Sequence, residues 1–415
     1  MNTTRIDTVV VGAGLAGLAT ARTLQQQGVC TLVLEGHPPG GRARSDVHDG
    51  FVFNRGPHAL YRNGPAEHVL AGLGIHPTGG PPTTRAYGLR DGRVGLLPGS
   101  ASTLLRTPLL SVRGKLAIAR FQRQLAAARP AALGSVTVNE WLDTLGLPDD
   151  ARDVVLMLIR VSTYGDAPDA MSADVAVEQM QLALSAGVRY LDDGWQSMVD
   201  ALATGLTIER CQAVAIVRDG GHIEVHGGND RLIVASAVVV AVGTPKASAG
   251  VLGRDAYDVG PPVELACLDL GVRQPPRHLA MFGLDDPLYL STHCPPARLA
   301  PDGQSVVHVA RYLDGAHDAA PEVQRAELEA LAQTAGVASD DIAASRYLHR
   351  MVGVGALPTA SRGGLAGRPT VDDTGIDGVF LAGDWVGRVG HLADASLASG
   401  VEAATRAAAA VGATR

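Results

Sequence analysis

Residues 6–35 read IDTVVVGAGLAGLATARTLQQQGVCTLVLE, and this stretch decides the fold. Val9–Val11 is a continuous apolar run, suited to a strand buried on both faces. Gly12, Gly14 and Gly17 form a G-x-G-x-x-G turn that runs into the helical stretch LAGLATARTLQQQ. Gly28 ends that helix, Thr31–Leu34 supplies a second strand, and Glu35 closes it. Each part of this βαβ unit has a physical task. Gly12 permits the tight turn, Gly14 lets backbone approach a pyrophosphate, and Gly17 lets helix pack on strand. The phosphates then meet a helix N-terminus, where N–H groups and the dipole favour negative charge. Glu35, 18 residues after Gly17, is placed to accept bonds from ribose hydroxyls. The unit is read as a dinucleotide-binding α/β core.

The rest of the chain narrows the class. A length of 415 residues suits two interleaved lobes better than one core. Hydrophobic residues at 46% and charged residues at 19% describe a folded globular chain. A net charge of −7 argues against a general nucleic-acid binder, which needs a basic face. The start lacks the pattern of a secretory signal, and Leu232–Val242, broken by Ser236, is too short to span a bilayer. Cys30, Cys211, Cys267 and Cys294 form no Cys-x-x-Cys pair, so a reduced, cytoplasmic protein is expected. His222 and His226 have a metal-like spacing but alternate with Ile223 and Val225 as on an exposed strand, so no metal site is expected.

Two further segments separate FAD from NAD. Gly40-Gly41-Arg42-Ala43-Arg44-Ser45 follows Glu35 closely, and GVFLAGDWVGRVGHLADASLASG lies near the far end, carrying Gly383-Asp384 and a helix that starts near Leu392. Together with FVFNRGPHALYRNGP, YLDDGWQSMVDAL and VVVAVGTP, these segments resemble the FAD-dependent amine oxidase and phytoene desaturase superfamily, most closely its phytoene dehydrogenase-like branch. The resemblance implies a discontinuous Rossmann-like FAD domain of the glutathione-reductase type and a second, α+β substrate domain. It places Gly12, Gly14 and Gly17 at the pyrophosphate, Glu35 at the adenosine ribose and Arg42 of the Gly41-Arg42 loop beside the flavin or pyrophosphate. Val214, in the strand AVAIV, would contact adenine through its backbone, and Asp384, after Gly383, would bond the ribitol or pyrophosphate. The helix from Leu392 would aim its N-terminal N–H groups at the flavin O2 edge, where reduced flavin gathers negative charge. Asp394, in its first turn, is read as a helix-stabilising residue. FAD would be held non-covalently, because no cysteine follows Cys294.

Such pieces, far apart in sequence, assign 1–75, 188–255 and 365–415 to the FAD domain and 76–187 and 256–364 to the substrate domain. RAYGLRDGRVGLLP reads as a hairpin about Asp91-Gly92. VELACLDLGV, LYLST, SVVHVARYL and SRYLHRMVG read as strands of a mixed sheet, and PEVQRAELEALAQ as a covering helix opened by Pro321. Gly353-Val354-Gly355 lacks a third glycine and runs into Pro358, so no second dinucleotide loop is present. Electrons would then leave to dioxygen or a quinone rather than arrive from NAD(P)H.

The flavin carries the redox chemistry, so no acid–base pair is required. His58, after Gly56-Pro57, and His391, before the C-terminal helix, are the catalytic candidates, since imidazole exchanges protons near neutrality. Trp195 and Trp385 are read mainly as packing. The chain has only two lysines, Lys115 and Lys246, none between 256 and 365, and aromatic residues make up just 4%. Both features weigh against an amine oxidase, whose relatives often place a lysine near flavin N5 and an aromatic cage around the amine.

From Gly92 to Asn139 there is no Asp or Glu, but Arg93, Arg106, Arg113, Lys115, Arg120, Arg123 and Arg129 are present. Ile118, Phe121 and Leu125 share the opposite helical face, interrupted by Val112 and Leu116 among the basic residues. A solvated helix capping the substrate lobe is the first reading; a peripheral contact of residues 106–129 with anionic membrane is the other. The expected activity is hydride transfer to flavin N5 from a small apolar, prenyl-derived or secondary-metabolite substrate. Amine oxidation and a non-redox isomerase or cyclase remain alternatives.

Overall fold

The computed structural model describes residues 3–228, 230–314 and 319–414. Its first layer is a seven-stranded sheet. From one edge it runs Ile208–Arg210, Thr31–Glu35, Thr3–Val11, Arg231–Val240, His222–Gly227 and Ala213–Asp219, with Val379–Leu381 also pairing with Arg231–Val240. The first four strands and Val379–Leu381 are mutually parallel, and the last two are antiparallel. Val9, Val10 and Val238–Val240 are completely buried, as a strand covered on both faces requires.

One cover is the helix Leu15–Gln26, which packs against the C-terminal helix Leu392–Thr414. The two approach closely: Thr20 Oγ1 donates to the Gly400 carbonyl at 2.9 Å, and a Cβ on Gly400 would lie 2.5 Å from the Ala16 carbonyl oxygen. Chain ends nearly 400 residues apart are thereby locked side by side. The helix Leu15–Gln26 also sits tightly on its own strand, since a Cβ on Gly17 would lie 1.9 Å from the Gly12 carbonyl oxygen.

The second layer is another seven-stranded sheet, ordered Ile342–Val354, Val263–Val272, Ser305–Leu313, Leu288–Cys294, Ala280–Gly283, Tyr87–Arg90 and Arg93–Leu96. Only Ala280–Gly283 and Tyr87–Arg90 pair in parallel, so the sheet is mixed. Helix Pro321–Thr334 covers one face through Leu328, Leu331 and Ala332. Helices Val112–Ala127, Val138–Thr144, Asp149–Thr163 and Ala173–Ala186 form a further cluster at the side. Val112–Ala127 buries Gly114, Ala117, Ile118, Phe121 and Leu125 in it, which fits a helix capping the lobe. The architecture is mixed α/β, with a cofactor-type parallel core and a second mixed-sheet lobe.

Candidate functional site

A cavity of about 640 Å³ runs between the carboxyl ends of the parallel strands and the second sheet. Gly12, Gly14, Glu35, Gly41, Arg42, Gly383, Asp384 and Leu392 all line it. At one side, Glu35 Oε2 accepts the Ala13 N–H at 2.8 Å and Oε1 accepts the His37 N–H at 2.9 Å. These two bonds fix the carboxylate at the strand end with lone pairs left over for ligand hydroxyls.

Next to it, the helix Leu15–Gln26 begins at Gly14 with no side-chain cap and no acidic residue in its first turn. Leu15 and Ala16 line the cavity, so the positive helix end faces it. A Cβ added to Gly14 would meet nothing within 4 Å, which marks the space in front of that helix end as open. Gly17 is absent from the cavity wall and serves the strand–helix contact instead.

The middle of the site is a polar clamp. Arg42 Nη1 and Nη2 donate to Asp384 Oδ2 and Oδ1, each at 2.8 Å. Arg42 also donates to the Gly243 carbonyl at 3.2 Å, and Asp384 Oδ2 accepts the Gly355 N–H at 2.8 Å. Gly353-Val354-Gly355, set aside in sequence as a failed nucleotide loop, is therefore part of this clamp. Nothing in its spacing announces that role. The pairing is created by the second sheet delivering the end of strand Ile342–Val354 to the cofactor core.

Val214 lies just outside the cavity wall, which Cys211, Gln212 and Ala213 form beside it. The residue is 56% exposed and sits at a register irregularity between Ala213 and Ala215 of strand Ala213–Asp219. The contact expected of it runs through its backbone, which an exposed side chain leaves available.

The two histidines part company. His58 lines the cavity, donates from Nδ1 to the Gly56 carbonyl at 3.0 Å and meets Trp195 edge-on at 4.8 Å. Burial lowers its pKa to about 4, so it is neutral at ordinary pH. His391 is fully buried, bonds through Nε2 to the Thr163 carbonyl at 3.0 Å, and does not line the cavity. Its pKa is also lowered to about 4 by burial. Leu392 adopts φ of +54°, a costly conformation for a branched residue, and it is Leu392 that meets the cavity. Trp195 lines the cavity with its buried Nε1–H unpartnered, whereas Trp385 is wholly buried behind it against Tyr257.

Tyrosines supply what composition had discounted. Tyr61 and Tyr164 line the cavity, their hydroxyls donating to the Ser162 and Pro57 carbonyls, each at 2.8 Å. Tyr164 meets Tyr312 edge-on at 6.3 Å, and Tyr312 meets Tyr289 likewise at 6.4 Å. Burial raises all four phenols, so they stay protonated. Tyr61 and Tyr164 thus stand in the cavity wall, while Tyr289 and Tyr312 pack behind Tyr164. Neither lysine joins them: Lys115 Nζ bonds the Leu105 carbonyl on the outer helices, and Lys246 is exposed.

Asp394 stands in the first turn of helix Leu392–Thr414, as expected of a helix-stabilising residue, and it also lines the cavity. Its Oδ1 accepts the Ala66 N–H at 2.8 Å, at the start of helix Pro65–Gly72.

These features fit FAD. An uncapped helix end over open space suits a pyrophosphate, a fixed carboxylate suits a ribose, and unpartnered buried polar atoms at Trp195 and Asp394 await a polar ligand.

Comparison with known proteins agrees. Residues 15–411 match the family described as flavin containing amine oxidoreductase. A putative flavin-containing monoamine oxidase, AofH, of Mycobacterium tuberculosis is 34% identical over 183 residues, covering 40% of this chain and 38% of that protein. The phytoene desaturase (lycopene-forming) of Pseudescherichia vulneris is 51% identical over 54 residues, 13% of this chain and 11% of that protein. The chain thus spans well under two thirds of the length of these curated relatives. Among solved structures, a redesigned putrescine oxidase superposes with a TM-score of 0.74 at 18% identity, covering 98% of this chain and all of the other, and so shares its fold. With the family match running almost end to end, this protein belongs to the flavin-containing amine oxidoreductase family and its cofactor is FAD.

Proposed function

We propose that this oxidoreductase dehydrogenates a small, largely apolar molecule held against the wall formed by Tyr61, Tyr164, Trp195 and Met351. That wall is the observation that carries the reading: rings and a thioether offer dispersion and shape, and their hydroxyls are already committed to backbone carbonyls. When bound, FAD supplies a two-electron acceptor that takes hydride at N5. The chain's own residues then bind, orient and keep water out. His58, neutral and tethered to Gly56, acts as a positioning group beside Trp195 rather than as a base at neutral pH. His391, enclosed against Thr163, supports the backbone before Leu392 and is not proposed to touch substrate. The electron acceptor is dioxygen or a quinone.

Amine oxidation is the second reading. The rings of Tyr61, Tyr164 and Trp195 in the cavity wall favour it, because ring faces attract an ammonium. So do the relatives named for monoamine and putrescine oxidation. Anaerobic mixing of the holoprotein with panels of apolar alkenes or alcohols and of primary amines separates the readings. Bleaching of the oxidised flavin band by the first panel supports dehydrogenation of an apolar compound, and bleaching by amines alone overturns it. Product formed without bleaching points to a non-redox isomerase or cyclase.

No helix among the described residues is long and apolar enough to cross a membrane. We infer, as the second reading of this lobe-capping segment, a peripheral contact with anionic membrane through Leu105, Val112 and Leu116. All three are exposed beside Arg106, Arg113 and Lys115.

A further inference from the structure

Asp394 is 2% exposed and stands in the cavity wall with Leu392, Ala393 and Tyr61. One carboxyl oxygen is used by the Ala66 N–H; the other, Oδ2, is buried and has no partner. If capping helix Pro65–Gly72 were its whole task, an asparagine would do it without burying an ionisable group. A free carboxyl oxygen in the wall of the flavin cavity, beside the start of the helix Leu392–Thr414, has a second use.

We propose that Asp394 is the chain's proton-holding contact to the flavin ring, a carboxyl whose proton tunes the reduction potential and visible spectrum of the bound cofactor. The proposal rests on the FAD assignment and goes beyond it. Reduction places negative charge on the ring. A neutral acid can donate a hydrogen bond to that charge, whereas a carboxylate opposes it.

The groups around Asp394 set its proton affinity. Glu67 lies on helix Pro65–Gly72, ion-paired to Arg189 at 3.2 Å. Glu178 faces it from helix Ala173–Ala186 and Tyr61 from the strand before helix Pro65–Gly72. Behind it, Arg368 donates to the Gly390 and Asp384 carbonyls, and His391 is neutral. Burial first, then the two glutamates, against the Ala66 bond, bring the Asp394 carboxyl up to about 7. It therefore changes charge within the working pH range.

The test is a spectroscopic and potentiometric titration of the FAD-loaded protein from about pH 5.5 to about pH 8.5, a span centred on neutrality where such a group would titrate. The wild type is expected to show a break near neutrality in both flavin absorbance and potential, with the potential falling as Asp394 ionises. In Asp394→Asn that break disappears: the potential still declines smoothly with pH, because flavin reduction itself takes up a proton, and at high pH it lies above that of the wild type. Because the variant could fold poorly, the reduced-minus-oxidised infrared difference spectrum of the wild type gives an independent reading, in which a perturbed carboxyl C=O band is expected. A break that persists in Asp394→Asn, or a flavin-loaded wild type with neither break nor carboxyl band, overturns the proposal. A wild type that takes up no FAD at all would instead overturn the cofactor assignment, and this proposal with it; the FAD content of the sample tells the two failures apart.

Discussion

Arg42 and Asp384, 342 residues apart, face each other as a two-armed ion pair with both N–O distances at 2.8 Å. Asp384 is nearly buried and Arg42 about a third exposed, so the pair is rigid on one side and open to the cavity on the other. Asp384 also takes the Gly355 N–H, tying the cofactor core to the second sheet. Asp384→Ala leaves both donors without their acceptor, at a cost of about 1.5–3 kcal/mol for bonds of this charged kind. The expected outcome is a lower unfolding midpoint together with FAD affinity reduced at least tenfold, read by flavin fluorescence quenching. Unchanged affinity would show that the pair does not shape the cofactor site.

Gly14 and Gly17 lie three residues apart and should fail differently. A Cβ on Gly14 projects into open space, so Gly14→Ala should leave the apoprotein's stability within about 0.5 kcal/mol of wild type. Bound cofactor would meet that methyl, and FAD affinity is expected to fall tenfold or more. A Cβ on Gly17 strikes the Gly12 carbonyl, so Gly17→Ala should destabilise the apoprotein by about 1–3 kcal/mol or more. Urea unfolding of the two apoproteins, followed by FAD titration, checks both. Equal stability losses would contradict the division of labour.

Acid should weaken the fold through its buried histidines. His391 holds a pKa of about 4 in the folded chain, against 6.5 when free. Below about pH 6.5 the unfolded state takes up a proton that the folded state refuses, so stability falls as pH drops from about 6.5 toward about 4. At about 1.4 kcal/mol per pH unit, this one fully buried group contributes roughly 3 kcal/mol across that window. His391→Gln can still donate to the Thr163 carbonyl and should flatten that part of the profile. Urea midpoints measured at several pH values test this; a variant profile parallel to the wild type would remove His391 from the account.

Leu105, Val112 and Leu116 are 74%, 76% and 68% exposed on the basic helices. Sedimentation with vesicles of phosphatidylserine and phosphatidylcholine at low salt should carry down a measurable fraction of the protein. Salt near 0.5 M should release much of it, because exposed charges are then screened within a few ångströms. Leu105→Ser with Leu116→Ser should at least halve the bound fraction. Protein that stays in the supernatant at low salt would dispose of the membrane contact.

Local rules made a large part of the site legible. The G-x-G-x-x-G turn, Glu35, Gly41-Arg42 and Gly383-Asp384 each depend on neighbouring residues and on which strand end they terminate, and all but Gly17 reach the cavity. Other placements were not legible locally. Val214 sits at a register irregularity of its strand, beside the cavity wall and not in it. His391 faces Thr163, rather than the cavity, across a left-handed Leu392 that no periodicity signals.

By itself, then, the sequence determined a βαβ nucleotide unit, its acidic strand end and a second lobe built on a mixed sheet, because hydrophobic period and glycine turns act within a few residues. Only the tertiary structure decided that Arg42 meets Asp384, that Tyr164, Tyr289 and Tyr312 gather although aromatic residues are scarce, and that Asp394 turns its carboxyl to the cavity. Those arrangements join residues 23 to 342 positions apart or, for Asp394, a helix start 328 residues upstream. Such meetings are set by how two sheets and two chain ends pack, a property of the whole fold and of no single stretch of it.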